Sequence, residues 1–342
     1  MSAPPPPERR RFPLARLFVI VAVVALAVLL ARRLDLDHLL SSLREADVRL
    51  VVAAALVHLT FNTAARVSRW QALLDPMPHR GPGARFAALV ALYFAGQAAN
   101  NLLPARAGEA LRVVHLHRRH HYPVASLVTV QIVETLVGAV TLGLFTLPMV
   151  PLGEAPTSLS LAIFLFALVG PLSLGALFWL ARRPPPTTLG STETEPPRSR
   201  WTRVIASARR GLARLVEAVR QMRSPHVWMR SVAWSVLSDV SDVAMIGLVL
   251  AAVGVTLSPA SWVVIYAAIN LVLIAPTTPA QIGVLEMGAA YALTAFGVDG
   301  HAALAFALLY HAAHVIPPTL AGAVVLARLD LRRSGEGDAR AQ

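Results

Sequence analysis

Long apolar runs constrain this chain more than any other feature of its sequence. A helix that crosses a bilayer needs about 20 apolar residues, and six runs meet or approach that length. They are Leu14–Ala31, Val48–Ala65, Val124–Val150, Leu159–Ala181, Val227–Val253 and Ala302–Ala327. Only 15% of the residues are charged, whereas about a quarter are charged in a soluble domain. We therefore predict an all-α polytopic membrane protein with about six full transmembrane helices.

The distribution of arginine predicts how these helices are oriented. With the N-terminus in the cytoplasm, the loop Arg66–Arg85, the linker Arg182–Arg230 and the segment after Ala327 are cytoplasmic and carry four, eleven and four Arg. The predicted outer loops at 151–158, 254–260 and 297–300 carry none. The outer loop Arg32–Arg49 is the exception, with four Arg balanced by four acidic residues. This positive-inside pattern predicts a multi-pass protein of the inner membrane with both termini cytoplasmic.

Two shorter apolar runs, Phe86–Leu103 and Trp262–Ala275, end in breaks that contain proline. The arginine pattern holds only if each run turns back and leaves the membrane on the side where it entered. We therefore predict two re-entrant hairpins, over 86–121 and 262–298, that enter from opposite sides as an inverted repeat, an arrangement typical of secondary transporters. The residues expected to form them, because proline stops a helix and glycine permits a reversal, are Pro104, Gly108, Pro276, Pro279 and Gly283.

A polar linker at 182–226 separates a membrane half at 1–181 from a second half at 227–328. Its first part is rich in Pro, Ser, Thr and Glu, which indicates disorder. Residues 201–223 alternate apolar side chains and Arg at helical spacing, which predicts an amphipathic helix on anionic headgroups. Nucleic-acid binding is the weaker interpretation, because the apolar face has no soluble core to join, and we expect no nucleic-acid partner. Residues 329–342 are expected to form a disordered cytoplasmic tail.

Polar and ionisable side chains at membrane depth are candidate binding groups, because burying them in lipid is costly. In a purely structural role, the carboxylates among them would pair with Arg106 or Arg112, or would cap the broken helices. The acids outnumber nearby Arg, which favours the binding of a cationic group or the transfer of protons. Arg106, Arg112 and the N-termini of the hairpin helices are instead suited to bind a phosphate. Together they suggest a zwitterionic headgroup. The candidate substrate-binding residues are Asn100, Asn101, Arg106, Glu109, Arg112, Glu134, Asp239, Asp242, Asn270, Glu286 and His311.

The sequence predicts neither a metal site nor a cofactor. His311 and His314 lie one helical turn apart, but no third ligand is evident beside them, so a proton relay or a packing role is favoured. No phosphate-hydrolysing motif is present in the sequence, so ATP is not expected to drive the protein directly.

Two motifs resemble those of a known family. The first is Asn-x-x-x-Pro-x-x-x-Gly-Glu-x-x-Arg from Asn100 to Arg112, and the second is Pro-x-x-x-Gly-x-x-Glu from Pro279 to Glu286, followed by Gly297-Val298. They are similar to motifs of the flippase-like family related to the transmembrane region of lysylphosphatidylglycerol synthases. The resemblance implies movement of a lipid or lipid-linked headgroup between leaflets. The chain departs from the family at Gly138, where relatives often have Asp, and at His311, where they often have Arg.

Because the sequence ends about fifteen residues after its last span, we expect no synthase domain and no enzymatic activity. The favoured function is a flippase for a phospholipid, an aminoacylated lipid or a lipid-linked sugar, with membrane lipids and a separate lipid-modifying enzyme as partners. Two alternatives remain open at this point. One is a secondary transporter of a small polar solute, and the other is an intramembrane enzyme that uses the paired Asp as acid and base. A groove open sideways to lipid would favour the flippase.

Overall fold

The computed structural model describes residues 36–80, 82–103, 107–153, 155–182, 224–273 and 278–338, and the single positions 213 and 216. This part of the chain contains ten helices and no strand. The helices are α1 Leu36–Glu45, α2 Val48–Leu74, α3 Phe86–Leu102, α4 Ala107–His120, α5 Val124–Thr146, α6 Thr157–Arg182, α7 Pro225–Ala252, α8 Pro259–Val272, α9 Val284–Ala295 and α10 Gly300–Asp338.

Five of these helices are long and apolar enough to cross a membrane: α2, α5, α6, α7 and α10. The prediction of an all-α polytopic membrane protein is therefore confirmed. The predicted first span, Leu14–Ala31, lies outside the described residues, as does the amphipathic helix at 201–223 apart from two positions. Helix α10 continues to Asp338, so the segment predicted as a disordered tail is helical over its described part.

The boundary predicted for the second span is wrong. Helix α2 continues to Leu74, nine residues past Ala65, so Arg66 and Arg69 lie within the span and not in a cytoplasmic loop. The helix continues because its next turns still have an apolar face, which includes Trp70 and Leu73, both buried. Two of the four Arg assigned to that loop therefore belong to the membrane-spanning helix.

Helices α2 and α7 run antiparallel along their whole length. At one end the Asp47 backbone N–H donates to the Ala252 carbonyl at 2.9 Å, and towards the other end Arg69 Nη1 donates to Ser235 Oγ at 3.1 Å. Between these contacts α2 contains a π-helical turn, His58–Asn62, whose first and last residues are buried. Such widened turns occur often at functional sites, and this one faces the acidic residues of α7.

The first predicted hairpin is formed by α3 and α4, which pack against each other. Gly108 is helical, so it is not the reversal point that the sequence suggested. It allows the helices to touch, because a Cβ atom at position 108 would lie 1.9 Å from the Gly96 carbonyl oxygen. Helix α4 begins at Ala107, and Pro104 lies outside the described residues.

The second predicted hairpin is formed by α8 and α9 with a short 3-10 turn, Pro279–Gln281, before α9. Gly283 precedes α9 with a φ of +83°, a conformation that glycine adopts without strain. The helix therefore begins at Val284. The turn at Pro279–Gln281 lies against α3, so the tip of the second hairpin meets the first.

Candidate functional site

The acidic half of the candidate site lies where α2, α7 and α8 meet. Asp239 and Asp242 face inward from α7 and are buried. Arg66 Nη2 donates to Asp242 Oδ2 at 2.9 Å, and His58 Nδ1 lies 3.3 Å from Asp242 Oδ1. The Tyr266 hydroxyl lies 3.0 Å from Asp239 Oδ1 and 3.3 Å from Asp242 Oδ2, so it can donate to either carboxylate. The predicted pair of Asp is thus brought together with partners from two other helices.

Asn62 orders this half of the site from the end of the π-helical turn. Its amide nitrogen donates to the carbonyl and hydroxyl oxygens of Ser238, at 3.0 and 3.2 Å. Its amide oxygen accepts a hydrogen bond from Arg66 Nε at 2.7 Å. Because both ends of the Asn62 side chain are engaged, the Arg66 guanidinium is held in one orientation beside Asp242.

The basic half lies about one helical turn further along α7, where α2, α4 and α5 meet. Arg69 Nη2 donates to Glu134 Oε1 at 2.9 Å, and Arg112 Nη1 lies 4.0 Å from the other Glu134 oxygen. The Arg112 guanidinium also lies over the Trp70 ring, 5.0 Å from its centroid. Such a cation–π contact holds the charge in place without neutralising it. The structure therefore brings together the predicted residues Arg112 and Glu134.

The charges of the two halves are opposite. Two carboxylates, Asp239 and Asp242, face one guanidinium in the acidic half, and one carboxylate, Glu134, faces two guanidiniums in the basic half. The total is three acids and three Arg, so the general surplus of acids expected from the sequence is wrong. Arg66 and Arg69 account for the difference, because the sequence placed them in a loop. What remains is a local excess of one negative charge beside a local excess of one positive charge.

The depth of both halves fits a membrane site. Asp242 lies ten residues before the end of α7 at Ala252, and Glu134 lies ten residues after the start of α5 at Val124. At about 1.5 Å per residue, each is about 15 Å from a helix end, which is half of a hydrocarbon core about 30 Å thick. The polar groups are therefore far from both predicted membrane surfaces.

The polar residues of the first hairpin contact neighbouring protein groups. Asn100 Oδ1 accepts from the Gly108 backbone N–H at 2.8 Å, which satisfies a donor in the first turn of α4. Asn101 Nδ2 donates to Thr319 Oγ1 on α10 at 2.7 Å, and the Glu109 carbonyl accepts from Gln131 Nε2 at 3.1 Å. These contacts attach the hairpin to α10 and α5.

The polar residues of the second hairpin form a separate group. Glu286 Oε2 accepts from the Gly283 backbone N–H at 2.7 Å, and Glu286 Oε1 is hydrogen-bonded to His311 Nδ1. The other nitrogen of His311 donates to the Ala280 carbonyl at 2.9 Å, and Asn270 bonds the Tyr266 carbonyl of its own helix. His311 thus attaches the tip of this hairpin to α10. The predicted residues Arg106 and Pro276 lie outside the described part of the chain.

A mostly apolar recess of about 160 Å³ opens beside the second hairpin, between α6, α8 and α9. Its lining includes Leu159, Ala268, Leu271 and Tyr291, and Tyr291 is largely exposed on the outer face of the helices. Helix α8 thus contributes Tyr266 to the acidic half and apolar side chains to this recess.

The chain matches one known protein family over most of its length. The family described as the lysylphosphatidylglycerol synthase TM region matches residues 14–322 of the 342. The chain belongs to this family. The suspected relation is confirmed, and it identifies a lipid-related membrane protein. No curated protein matches the chain significantly.

In this member of the lysylphosphatidylglycerol synthase TM-region family, the site residues missed from the sequence include His58, Asn62, Arg66, Arg69 and Tyr266. Arg66 and Arg69 follow the predicted span Val48–Ala65 and resemble its flank, whereas His58 lies within that span and resembles a packing residue. Arg66 and Arg69 are three positions apart, on one helical face, and three carboxylates lie in other predicted spans. Acidic residues within spans need basic partners from other helices, and this requirement could have pointed to Arg66 and Arg69.

Proposed function

We propose that this protein moves a phospholipid whose headgroup carries both a phosphate and an amine between the leaflets of the membrane. The observation that supports this most directly is the paired imbalance of charge in the buried polar site. An anionic phosphate would meet the excess positive charge of Arg69 and Arg112, and an ammonium group would meet the excess negative charge at Asp239. Along α7, Ser235, which accepts from Arg69, and Asp239 are about one helical turn apart, so the two halves adjoin.

Partner atoms for such a headgroup remain within the site. The second oxygen of Asp239, Oδ2, is buried and has no hydrogen-bond partner among the described residues. A buried polar atom without a partner costs about 1–3 kcal/mol, so an ammonium donor at this position would be favoured. On the opposite side, Arg112 is only loosely paired with Glu134 at 4.0 Å, which leaves its guanidinium able to bind a phosphate.

We propose that a lipid enters the site with its headgroup near Arg66 and an acyl chain in the apolar recess. Arg66 is 31% exposed while its partner Asp242 is 2% exposed, so Arg66 lies where the buried cluster approaches the molecular surface. The recess beside α8 would hold an acyl chain while the headgroup passes through the polar cluster. We propose that the two hairpins separate to admit the headgroup, because the turn Pro279–Gln281 of the second hairpin lies against α3 of the first.

The proposal places the protein in the inner membrane with both termini cytoplasmic, and it involves no covalent change to the lipid. Its partners would be membrane lipids and a separate enzyme that modifies them. The family relation and the arginine pattern support this assignment.

A transfer assay with the purified full chain in lipid vesicles tests the function. Phosphatidylethanolamine labelled on its acyl chain is placed in both leaflets, and a membrane-impermeant reductant bleaches only the outer-leaflet label. We expect wild-type protein to expose the inner-leaflet label, and Asp239→Asn or Arg112→Gln to slow this at least tenfold. His226→Gln is the control, because His226 is exposed at the start of α7, far from the cluster along the helix. Bleaching no faster than in protein-free vesicles would contradict the proposed function.

A further inference from the structure

Three potential metal ligands meet in the acidic half of the site. His58 of α2, Asp242 of α7 and His314 of α10 each offer one ligand atom, and these atoms lie within 4.8 Å of one another. His58 Nδ1 and Asp242 Oδ1 are 3.3 Å apart. Two ligands of one tetrahedral zinc ion are separated by about 3.3 Å, because each lies about 2.0–2.1 Å from the metal. The spacing therefore suits ligands that share an ion.

His314 has a nitrogen that the protein does not satisfy. Its Nδ1 atom is buried and has no hydrogen-bond partner in the part of the chain that the structure describes. The His314 ring lies against the His58 ring, with centroids 4.2 Å apart and planes tilted by 44°. A buried imidazole nitrogen without a partner costs about 1–3 kcal/mol, and coordination to a metal would remove that cost. Sequence spacing pairs His314 with His311, but His311 instead contacts the second hairpin.

The position of Arg66 leaves room for a cation. Arg66 binds Oδ2 of Asp242, whereas His58 faces Oδ1, so the two contacts use different oxygens. Asp239 and Asp242 together carry the two negative charges that balance a divalent ion. Arg66 is 31% exposed, so its own charge remains partly solvated. A divalent ion on the His58 side would change the net charge of the acidic half from −1 to +1, and the partly exposed Arg66 is the group that can turn this excess towards solvent.

We propose that His58, Asp242 and His314 bind one divalent transition-metal ion of the zinc class, with the fourth position left to water. Two imidazole nitrogens and one carboxylate oxygen are a typical ligand set for zinc, whereas Ca²⁺ and Mg²⁺ prefer oxygen ligands alone. The ion connects α2 at its π-helical turn to α7 and α10. It also neutralises Asp242, so Zn²⁺ slows the lipid transfer proposed above. That last consequence rests on the proposed function, while the binding itself does not.

Cobalt titration of the full chain in detergent tests the site directly. The purified protein is stripped of metal with a chelator and titrated with Co²⁺, whose visible absorption is strong only in near-tetrahedral sites. We expect one Co²⁺ per chain, displaced by Zn²⁺, and Zn²⁺ should raise the melting temperature. His58→Gln and His314→Gln should each weaken binding by more than the about 10–100-fold that loss of a mere outer-shell partner causes.

The exposed His226 gives a matched control, because His226→Gln makes the same substitution on the helix that carries Asp242. It should bind Co²⁺ as the wild-type protein does. If His58→Gln fails to fold, Asp242→Asn provides the third ligand variant and should likewise lose the absorption. The proposal is overturned if folded wild-type protein shows no tetrahedral Co²⁺ spectrum. It is also overturned if the ligand variants keep wild-type affinity, since the ion would then bind elsewhere.

Discussion

Arg66 and Asp242 are paired but differ in exposure, and this difference determines what replacing each one does. Arg66→Met leaves the Asp242 carboxylate buried without its guanidinium, which should cost about 3–5 kcal/mol of unfolding free energy. Asp242→Asn should cost less, because Arg66 is 31% exposed and can turn towards water. Unfolding of the purified protein in mixed detergent micelles, followed by circular dichroism, measures both losses.

The same substitution at Arg230 provides the control for this prediction. Arg230 lies 3.8 Å from Asp75, but the two side chains are 45% and 52% exposed. An exposed pair contributes about 0–1 kcal/mol, so Arg230→Met should have little effect. Equal losses at Arg66 and Arg230, or a larger loss for Asp242→Asn, would contradict the buried pairing.

The sequence identified the acids of the site more readily than the basic residues. Glu134, Asp239 and Asp242 interrupt long apolar runs and are conspicuous for that reason. Arg66 and Arg69 follow an apolar run, where the positive-inside rule expects the basic residues of a cytoplasmic loop, so the sequence assigned them to a loop. Only the packing of α2 against α7 and α5 shows that they have carboxylate partners.

Gly108 controls how closely the two helices of the first hairpin approach. A Cβ atom at this position would lie 1.9 Å from the Gly96 carbonyl oxygen, so Gly108→Ala must push α3 and α4 apart. Overpacking of this kind typically costs about 1–3 kcal/mol. We expect a lower melting temperature and, because Arg112 on α4 moves with the hairpin, slower lipid transfer.

Gly175 of α6 offers a matched comparison for Gly108. A Cβ atom at Gly175 would have nothing within 4 Å in the described structure. Gly175→Ala should therefore keep or raise the melting temperature, since Ala is favoured over Gly in a helix by about 1 kcal/mol. A Gly108→Ala variant as stable as Gly175→Ala would show that the hairpin is not closely packed.

The hairpins themselves could be predicted from the sequence, because a short apolar run, a proline break and the distribution of Arg all required a reversal. The roles of the two glycines could not be predicted. The sequence does not show that Gly108 serves helix contact whereas Gly283 serves the reversal, because both follow proline at the same spacing. The difference depends on tertiary packing: Gly108 faces Gly96, and Gly283 takes a φ of +83°.

The predicted orientation of the protein in the membrane requires that each hairpin enters and leaves on the same side, and a labelling experiment tests this. The chain has no Cys, so a single introduced thiol is the only one to react. Both ends of the first hairpin, at Arg85 and Arg119, are exposed, as are Thr256 before and Thr294 near the end of the second. We expect Arg85→Cys and Arg119→Cys to react with an impermeant maleimide only from the cytoplasmic side.

Cysteines at Thr256 and Thr294 should react only from the opposite side, because the second hairpin enters the membrane in the inverted sense. Labelling intact cells and inside-out vesicles separates the two cases. Reaction of Arg85→Cys and Arg119→Cys from different sides would mean that the first hairpin crosses the membrane completely. The inverted repeat predicted from the Arg distribution would then be wrong.

The charge-separated site should select lipids by headgroup, and this selectivity tests the central claim most directly. Phosphatidylethanolamine and phosphatidylglycerol carrying the same acyl-chain label differ in whether an amine accompanies the phosphate. In the vesicle transfer assay, wild-type protein should move phosphatidylethanolamine faster, and Asp239→Asn should abolish that preference. Equal wild-type rates for the two lipids, or a preference unchanged in Asp239→Asn, would contradict recognition of the headgroup by the buried polar site.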